Sequence, residues 1–207
     1  RQAWRMVRPH LAFADWSNDA VAAETLVALD TVHVVTITVT ESGYYLDDSG
    51  RLNLDDPVIS GELDGGEGRS IYAYLHAALR RRRDANGQPL SILCCDNIRG
   101  NGRMLEATLL SYLEAKGEDD LVDWVRARVT FPCSMVDRIT PRSTPALVNE
   151  ANSLFGGRST SPINSEDYIQ WVLEDRFAGP MPDLAVAGVE LVEDVDPYEE
   201  AKIRILN

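Results

Sequence analysis

Tyr198, Glu199 and Lys202 lie in PYEEAKIRILN, residues 197–207, and their types and spacing allow proton chemistry. An amine becomes a general base when its surroundings weaken its hold on a proton, and a nearby carboxylate can carry that proton onward. Pro197 suits a first helical position with Asp196 as its cap, and Glu199 and Glu200 fill the favoured acidic first turn. On that helix Tyr198, four residues before Lys202, and Glu199, three before, both neighbour the amine. Ile203, Ile205 and Leu206 crowd the lysine with apolar groups, and a desolvated lysine loses affinity for its proton. The competing reading is a Glu199–Lys202 surface pair, worth about 0.3 kcal/mol. Asn207 follows Lys202 by five residues, about 140° around a helix. The two share a substrate only if it lies along a cleft beside the helix.

Three other polar groups emerge from apolar runs. TVHVVTITVT (31–40) is rich in β-branched residues with little charge, the pattern of a buried strand, and ends at Thr38–Glu41. LSILCCDN (90–97) ends in Asp96 and Asn97, and VTFPCSMVD (129–137) leads to Ser134–Asp137. An asparagine amide at a strand end can donate to a substrate oxygen; a purely structural turn at Asp96–Asn97 is equally open. Asp137 with Arg138 reads by itself as a local ion pair. Asn101 is a candidate helix cap.

These groups need elements to position them. Helical spacing runs through DAVAAETLVALD (19–30), IYAYLHAALRRRR (71–83), NGRMLEATLLSYLEAKG (101–117) and LVDWVRARV (121–129). The stretches 41–57 and 60–70 read as polar loops. Strands alternating with helices imply right-handed βαβ units and an α/β fold with a mostly parallel sheet. Such sheets bind ligands at the carboxyl ends of their strands. GGEG (65–68) lacks lysine, contains a glutamate that would repel phosphate, and reads as a loop rather than a phosphate cradle. Arg80–Arg83 read as a solvated face at a helix C-terminus, where cations meet the negative end of the dipole.

The net charge of −13 argues against nucleic acid or an anionic membrane as partner. No apolar run approaches the ~18 residues of a membrane span, and RQAWRMVRPH has no apolar signal core. Cys94, Cys95 and Cys133 form no disulfide framework, which suits the cytoplasm. His10, His33 and His76 show no ligand spacing, so no metal is expected.

Five ordered stretches, TVTESGYYLD (38–47), LCCDNIRGNG (93–102), FPCSMVDRITPR (131–142), YIQWVLEDRF (168–177) and GVELVEDVDPYEEAKIRILN (188–207), resemble the polyol-specific long-chain dehydrogenase, or mannitol dehydrogenase, family. The resemblance covers about residues 30–207. It implies a Rossmann-like domain over 1–196, incomplete at its N-terminus, with 197–207 opening an α-helical substrate domain. It implies hydride transfer between a secondary alcohol and NAD without metal. Lys202 matches the family's general base, in a Lys-x4-Asn-x2-His motif. Asn97 and Asn207 match the asparagines that hold the reacting oxygen, and Glu199, next to the lysine, is the expected proton relay to solvent. Val136 and Asp137 match the segment beside cofactor and substrate, with Thr40 and Asp96 as further cofactor contacts. The family's Gly-x-Gly loop and acidic ribose selector are not found, and the motif histidine would fall three residues after Asn207. The chain is therefore expected to be a segment of a longer enzyme. The expected reaction is of the D-arabinitol to D-xylulose type. Mannitol oxidation, hexuronate reduction and a non-catalytic remnant are the alternatives. Tyr198-x-x-x-Lys202 also spells the catalytic pair of short-chain dehydrogenases, but the upstream zone where those enzymes carry a serine is Leu184, Ala185 and Val186.

Overall fold

The computed structural model describes residues 4–7, 9–156 and 161–206, with side chains as far as Lys202. Strands β1 (Val34–Ile37), β2 (Leu90–Cys94) and β3 (Val129–Thr130) form a parallel sheet in the order β1-β2-β3. Every residue of β2 is buried, as a central parallel strand covered on both faces requires. Helices α1 (Ala20–Ala28), α2 (Pro57–Leu63), α3 (Ile71–Ala85), α4 (Asn101–Ala115) and α5 (Asp119–Arg128) surround it. The core joins Leu75 and Leu79 of α3, Leu105 and Leu109 of α4, and Leu90 and Ile92 of β2. Among the described residues no helix is long and apolar enough to cross a membrane.

A second sheet, ordered β4-β5-β6, contains β4 (Ser134–Asp137), β5 (Gln170–Glu174) and β6 (Glu190–Val192). Here β5 runs antiparallel to β4 and parallel to β6. Phe131–Cys133 separates β3 from β4, and Pro132 offers no N–H to continue the ladder. The side chain of Asn101 spans the gap instead. Its Nδ2 donates to Asp96 O at 2.9 Å and Ser134 O at 2.8 Å, while its Oδ1 accepts from Ser134 N at 2.9 Å. Ser134 Oγ adds a bond to Cys94 O at 2.6 Å. The expectation that Asn101 caps a helix is corrected: Gly100, with a left-handed backbone, holds the cap position, and Asn101 staples the end of β2 to β4.

One helix falls where loops were expected, α2, and another, α6 (Pro145–Leu154), in a stretch given no helical reading. Both open on a proline behind an oxygen-bearing cap, Asp56 and Thr144, whose side chains accept from Val58 N and Leu147 N. The GGEG stretch is a loop. The carboxylate of Glu62 accepts from Arg69 N and Ser70 N, so the amides leading into α3 already have an anion. The last helix is α7 (Asp196–Leu206).

The reading of Arg80–Arg83 as a solvated face is also corrected. Arg82 is fully buried, and its guanidinium donates to the carbonyls of Val27 (2.7 Å), Leu29 (3.0 Å), Gln88 (2.8 Å) and Pro89 (2.9 Å). One cation thus satisfies the end of α1 and the turn entering β2, because a planar five-donor group can serve several acceptors at once. Arg82→Met should strand these carbonyls and destabilise the chain by roughly 3–5 kcal/mol. Arg80→Met, removing a partly exposed partner of Glu118, should cost under about 1 kcal/mol. Urea unfolding of the two variants side by side checks the contrast.

Candidate active site

The carboxyl ends of β2 and β4 meet the flank of α7. Lys202 reaches from α7 across this junction. Its Nζ donates to Asn97 Oδ1 at 2.9 Å and to the Val136 carbonyl at 2.7 Å, and lies 3.7 Å from Asp137 Oδ1. The lysine side chain is only 14 % exposed. Four residues expected at one site, Lys202, Asn97, Val136 and Asp137, are brought together. Because Asn97 Oδ1 accepts from the lysine, its amide nitrogen is turned the other way, on an exposed residue.

Asp96, expected as a cofactor contact, is instead turned inward. It is buried, with Oδ1 accepting from Val39 N at 2.7 Å and Oδ2 accepting from Tyr44 Oη and, at 3.1 Å, from Cys94 Sγ. It binds the turn after β1 to the end of β2. Thr40 is exposed just before the 3₁₀ turn Glu41–Tyr44, with its Oγ1 3.5 Å from Ser42 Oγ. Burial pushes the Cys94 thiol up to about 12 and that of Cys95 up to about 11, so neither is a nucleophile at neutral pH. Gly102 permits the close seat of α4: a β-carbon there would lie 2.4 Å from Phe131 O and 2.6 Å from Pro132 O.

Glu199 is buried. Its Oε1 accepts from Gly100 N at 3.0 Å, while Oε2 has no hydrogen-bond partner and faces Arg99 Nε at 3.8 Å. Burial raises its proton affinity above the usual carboxylate range, with the negative charge of Asp196 adding to the effect. Glu199 thus turns to the start of α4 rather than pairing with Lys202. The Asp137–Arg138 pair gives way similarly: Asp137 faces the lysine, and Arg138 donates to Glu166 O. Tyr198 Oη donates to Glu190 Oε1 at 2.6 Å, which points the phenol at a carboxylate on β6 and leaves the Tyr-x-x-x-Lys reading without support. Asn207 lies outside the described residues.

Three residues that matter to this geometry were not singled out for it: Tyr44, Arg103 and, as a staple, Asn101. Arg103 donates to Glu174 Oε1 at 3.3 Å and to Asp196 Oδ1. The only trace of it in the sequence is an arginine in the first turn of a helix, where a cation opposes the dipole and needs another reason to be there.

For a dinucleotide, the groups present suit the nicotinamide end. Polar side chains and a free amide nitrogen sit at strand carboxyl ends, where parallel sheets receive ligands. They do not supply the phosphate cradle. After β2 the glycines of Gly100-Asn101-Gly102 open α4, but Gly100 N is taken by Glu199 and Gly102 faces two carbonyls.

The description Mannitol dehydrogenase Rossmann domain matches residues 13–186. The chain belongs to the mannitol dehydrogenase family. It is 39% identical over 206 residues to a D-arabinitol 4-dehydrogenase of Ralstonia nicotianae, an alignment covering all of this chain and 44% of that protein. It is 42% identical over 174 residues to a D-arabinitol 4-dehydrogenase of Klebsiella pneumoniae, covering 84% of this chain and 38% of the relative. Among solved structures, Pseudomonas fluorescens mannitol 2-dehydrogenase, in a ternary complex with NAD and D-mannitol, superposes with a TM-score of 0.81 at 34% identity. That match covers 90% of this chain and 38% of the other. The chain spans under half the length of these family members.

The raised proton affinity of Glu199 has a signed consequence for stability. A carboxyl that binds its proton more tightly folded than unfolded favours the fold at pH below its unfolded value. That contribution is lost as pH rises through the folded value. Glu199→Gln keeps an oxygen for Gly100 N and cannot titrate. Relative to wild type, it should therefore gain stability as pH rises from the ordinary carboxylate value, about 4.3, towards neutrality. Urea unfolding of both proteins across that range tests the sign; a wild type that gains on the variant as pH rises would contradict it.

Proposed function

We propose that this chain contributes the cofactor side and the catalytic lysine of an NAD-dependent polyol dehydrogenase, oxidising a pentitol of the D-arabinitol type to the corresponding ketose. The observation that carries this reading is the position of Lys202 Nζ, 2.9 Å from Asn97 Oδ1 at the carboxyl end of β2. A base must stand within hydrogen-bond reach of the proton it takes. The asparagine that must hold the oxygen losing that proton is in direct contact with the lysine. NAD, when bound, supplies the hydride acceptor.

In this reading Lys202 Nζ receives the substrate hydroxyl proton. The free amide nitrogen of Asn97 donates to the reacting oxygen and stabilises developing alkoxide charge, work that fixed donors do well. Asn207 is its expected second donor. Val136, Asp137 and Thr40 border the nicotinamide end. Glu199, one turn before the lysine and buried with a raised proton affinity, is the relay towards solvent beside Arg99; since it turns to Gly100 N, a proton leaving Lys202 reaches it through a bridging water. The cofactor domain runs over 1–196, and 197–207 opens the helical substrate domain. Support for the substrate class comes from the D-arabinitol 4-dehydrogenases at 39% and 42% identity. The structural likeness to a mannitol 2-dehydrogenase makes mannitol the second reading.

The test is NADH formation by the polypeptide that carries this chain together with its flanking coding sequence. D-arabinitol, D-mannitol and the hexonates that yield hexuronates would each be offered. Fastest turnover on D-arabinitol is expected. Folded protein inactive on all of them would remove the dehydrogenase reading. In the active protein, Lys202→Ala should lower turnover by about 10²–10⁴, with partial recovery at high pH or on adding small amines. Asn97→Ala should lower it by about 10²–10³. Steady-state rates read both.

A further inference from the structure

Among the described residues, Lys202 rides on a helix with little apolar anchorage. Around α7 their buried apolar group is small: Cys133, Met135, Val172 and Val195, with Val192 and Tyr198 packed against it. The described contacts that fix α7 are mostly polar, and several converge on the segment 97–103. Glu199 accepts from Gly100 N, Arg99 Nη2 lies 3.4 Å from Glu200 Oε1, and Lys202 reaches Asn97. Arg103 differs from the rest in joining three elements. It leaves the first turn of α4, meets Glu174 at the end of β5 and meets Asp196 at the start of α7. Glu174 is buried, and its other oxygen accepts from Cys133 N at 2.9 Å, one residue before the Ser134 that Asn101 staples. Arg176 also approaches Glu174, at 4.0 Å. Asp196 draws a cation from Arg103.

We propose that Arg103 is a positioning residue for Lys202: by tying Asp196 to Glu174 it sets the seat of α7 and so holds the lysine nitrogen against Asn97. The proposal rests on Lys202 being the base, because only then does its seat matter to a reaction. Asp196 and Lys202 are six residues apart, about 9 Å along a helix. A helix released at its start pivots, and a displacement of about 1 Å at the amine takes a 2.9 Å hydrogen bond out of range. A guanidinium can hold two carboxylates in fixed directions, where an ammonium acts as a point charge.

The sequence makes the amine easy to read, since Lys116 and Lys202 are its two lysines. Lys116 Nζ donates to Glu62 O at 2.8 Å, far along the chain from α7, and serves as the internal reference. Trace acylation of the folded chain with acetic anhydride at fixed pH, followed by peptide mass spectrometry, gives the ratio of Lys202 to Lys116 labelling. In Arg103→Met that ratio should rise about threefold or more, as a local opening frees the amine. Asp196→Ala, which removes the α7 arm and leaves Glu174 with its arginine, should raise it in the same direction. Arg103→Lys should fall between wild type and Arg103→Met. A ratio unchanged in Asp196→Ala, in protein that melts as wild type does, overturns the proposal, as does a lowered thermal midpoint in Arg103→Met without change in the ratio. If Arg103→Met does not fold, the Asp196→Ala ratio decides. Failure of the base reading is visible separately, as unchanged turnover in Lys202→Ala.

Discussion

The nitrogen of Lys202 is held between a side-chain oxygen at the end of β2 and a backbone carbonyl in β4. Those two strands share no ladder; they lie in different sheets. A single amine can bridge them only if both strand ends are fixed to each other by something else and if α7 is seated independently of both. Asn101 meets the first demand by replacing missing backbone bonds with a side-chain amide that accepts and donates at once. The break at Phe131–Cys133 that makes this staple necessary also parts the two sheets, and a parting between strand ends is where a parallel α/β fold takes its ligand. The seat of α7 meets the second demand through charge, since among the described residues its apolar contacts are few.

The chain carries a net charge of −13, yet several of its acids face inward. Asp96, Glu62, Glu174 and Glu199 are all buried, and each accepts from a backbone N–H: Val39, Ser70, Cys133 and Gly100 respectively. A buried carboxylate is costly without such donors and strongly anchoring with them. The fold uses these four acids as backbone fasteners. Three of them, Asp96, Glu174 and Glu199, lie in the segments that frame the lysine. Glu199 stands apart because one of its oxygens lacks a hydrogen bond. Burial, with the negative charge of Asp196 adding to it, raises its proton affinity.

The elements legible in the sequence were those with a strong period: the β-branched run of β1, the apolar run of β2 and the amphipathic α3 and α4. Lys202, Asn97, Val136 and Asp137 were legible as a set through the resemblance, and their contacts follow from the ends of the strands that carry them. Two kinds of feature escaped. Short helices behind Asp56-Pro57 and Thr144-Pro145 lay in turn-rich composition, where the cap and proline signals were outweighed by their neighbours. Buried charge was the other. Nothing in RRRR distinguishes Arg82 from Arg81 or Arg83, because the four carbonyls that draw it inward come from Val27, Leu29, Gln88 and Pro89, two of them more than fifty residues away. Asp96 misled for the same reason: a strand-end acid reads as exposed until the amide of Val39 and the hydroxyl of Tyr44 are folded against it.

The arrangement of acceptors around the lysine constrains how a substrate would reach it. An ammonium has three protons to give, and three acceptors surround Nζ: Asn97 Oδ1 at 2.9 Å, Val136 O at 2.7 Å and Asp137 Oδ1 at 3.7 Å. The first two are hydrogen bonds and the third is a longer ionic contact, so the Asp137 side is where the shell is loosest. A polyol hydroxyl approaching there, on the proposed reading, meets the amine without displacing Asn97, whose oxygen stays on the lysine and whose amide nitrogen stays free for the reacting oxygen. On the proposed reading, base and oxygen-holding donor are thus oriented by one bond, the one between Lys202 and Asn97. The neighbouring carboxylate of Asp137 is then placed to receive a second substrate hydroxyl, which a polyol has and a simple alcohol lacks.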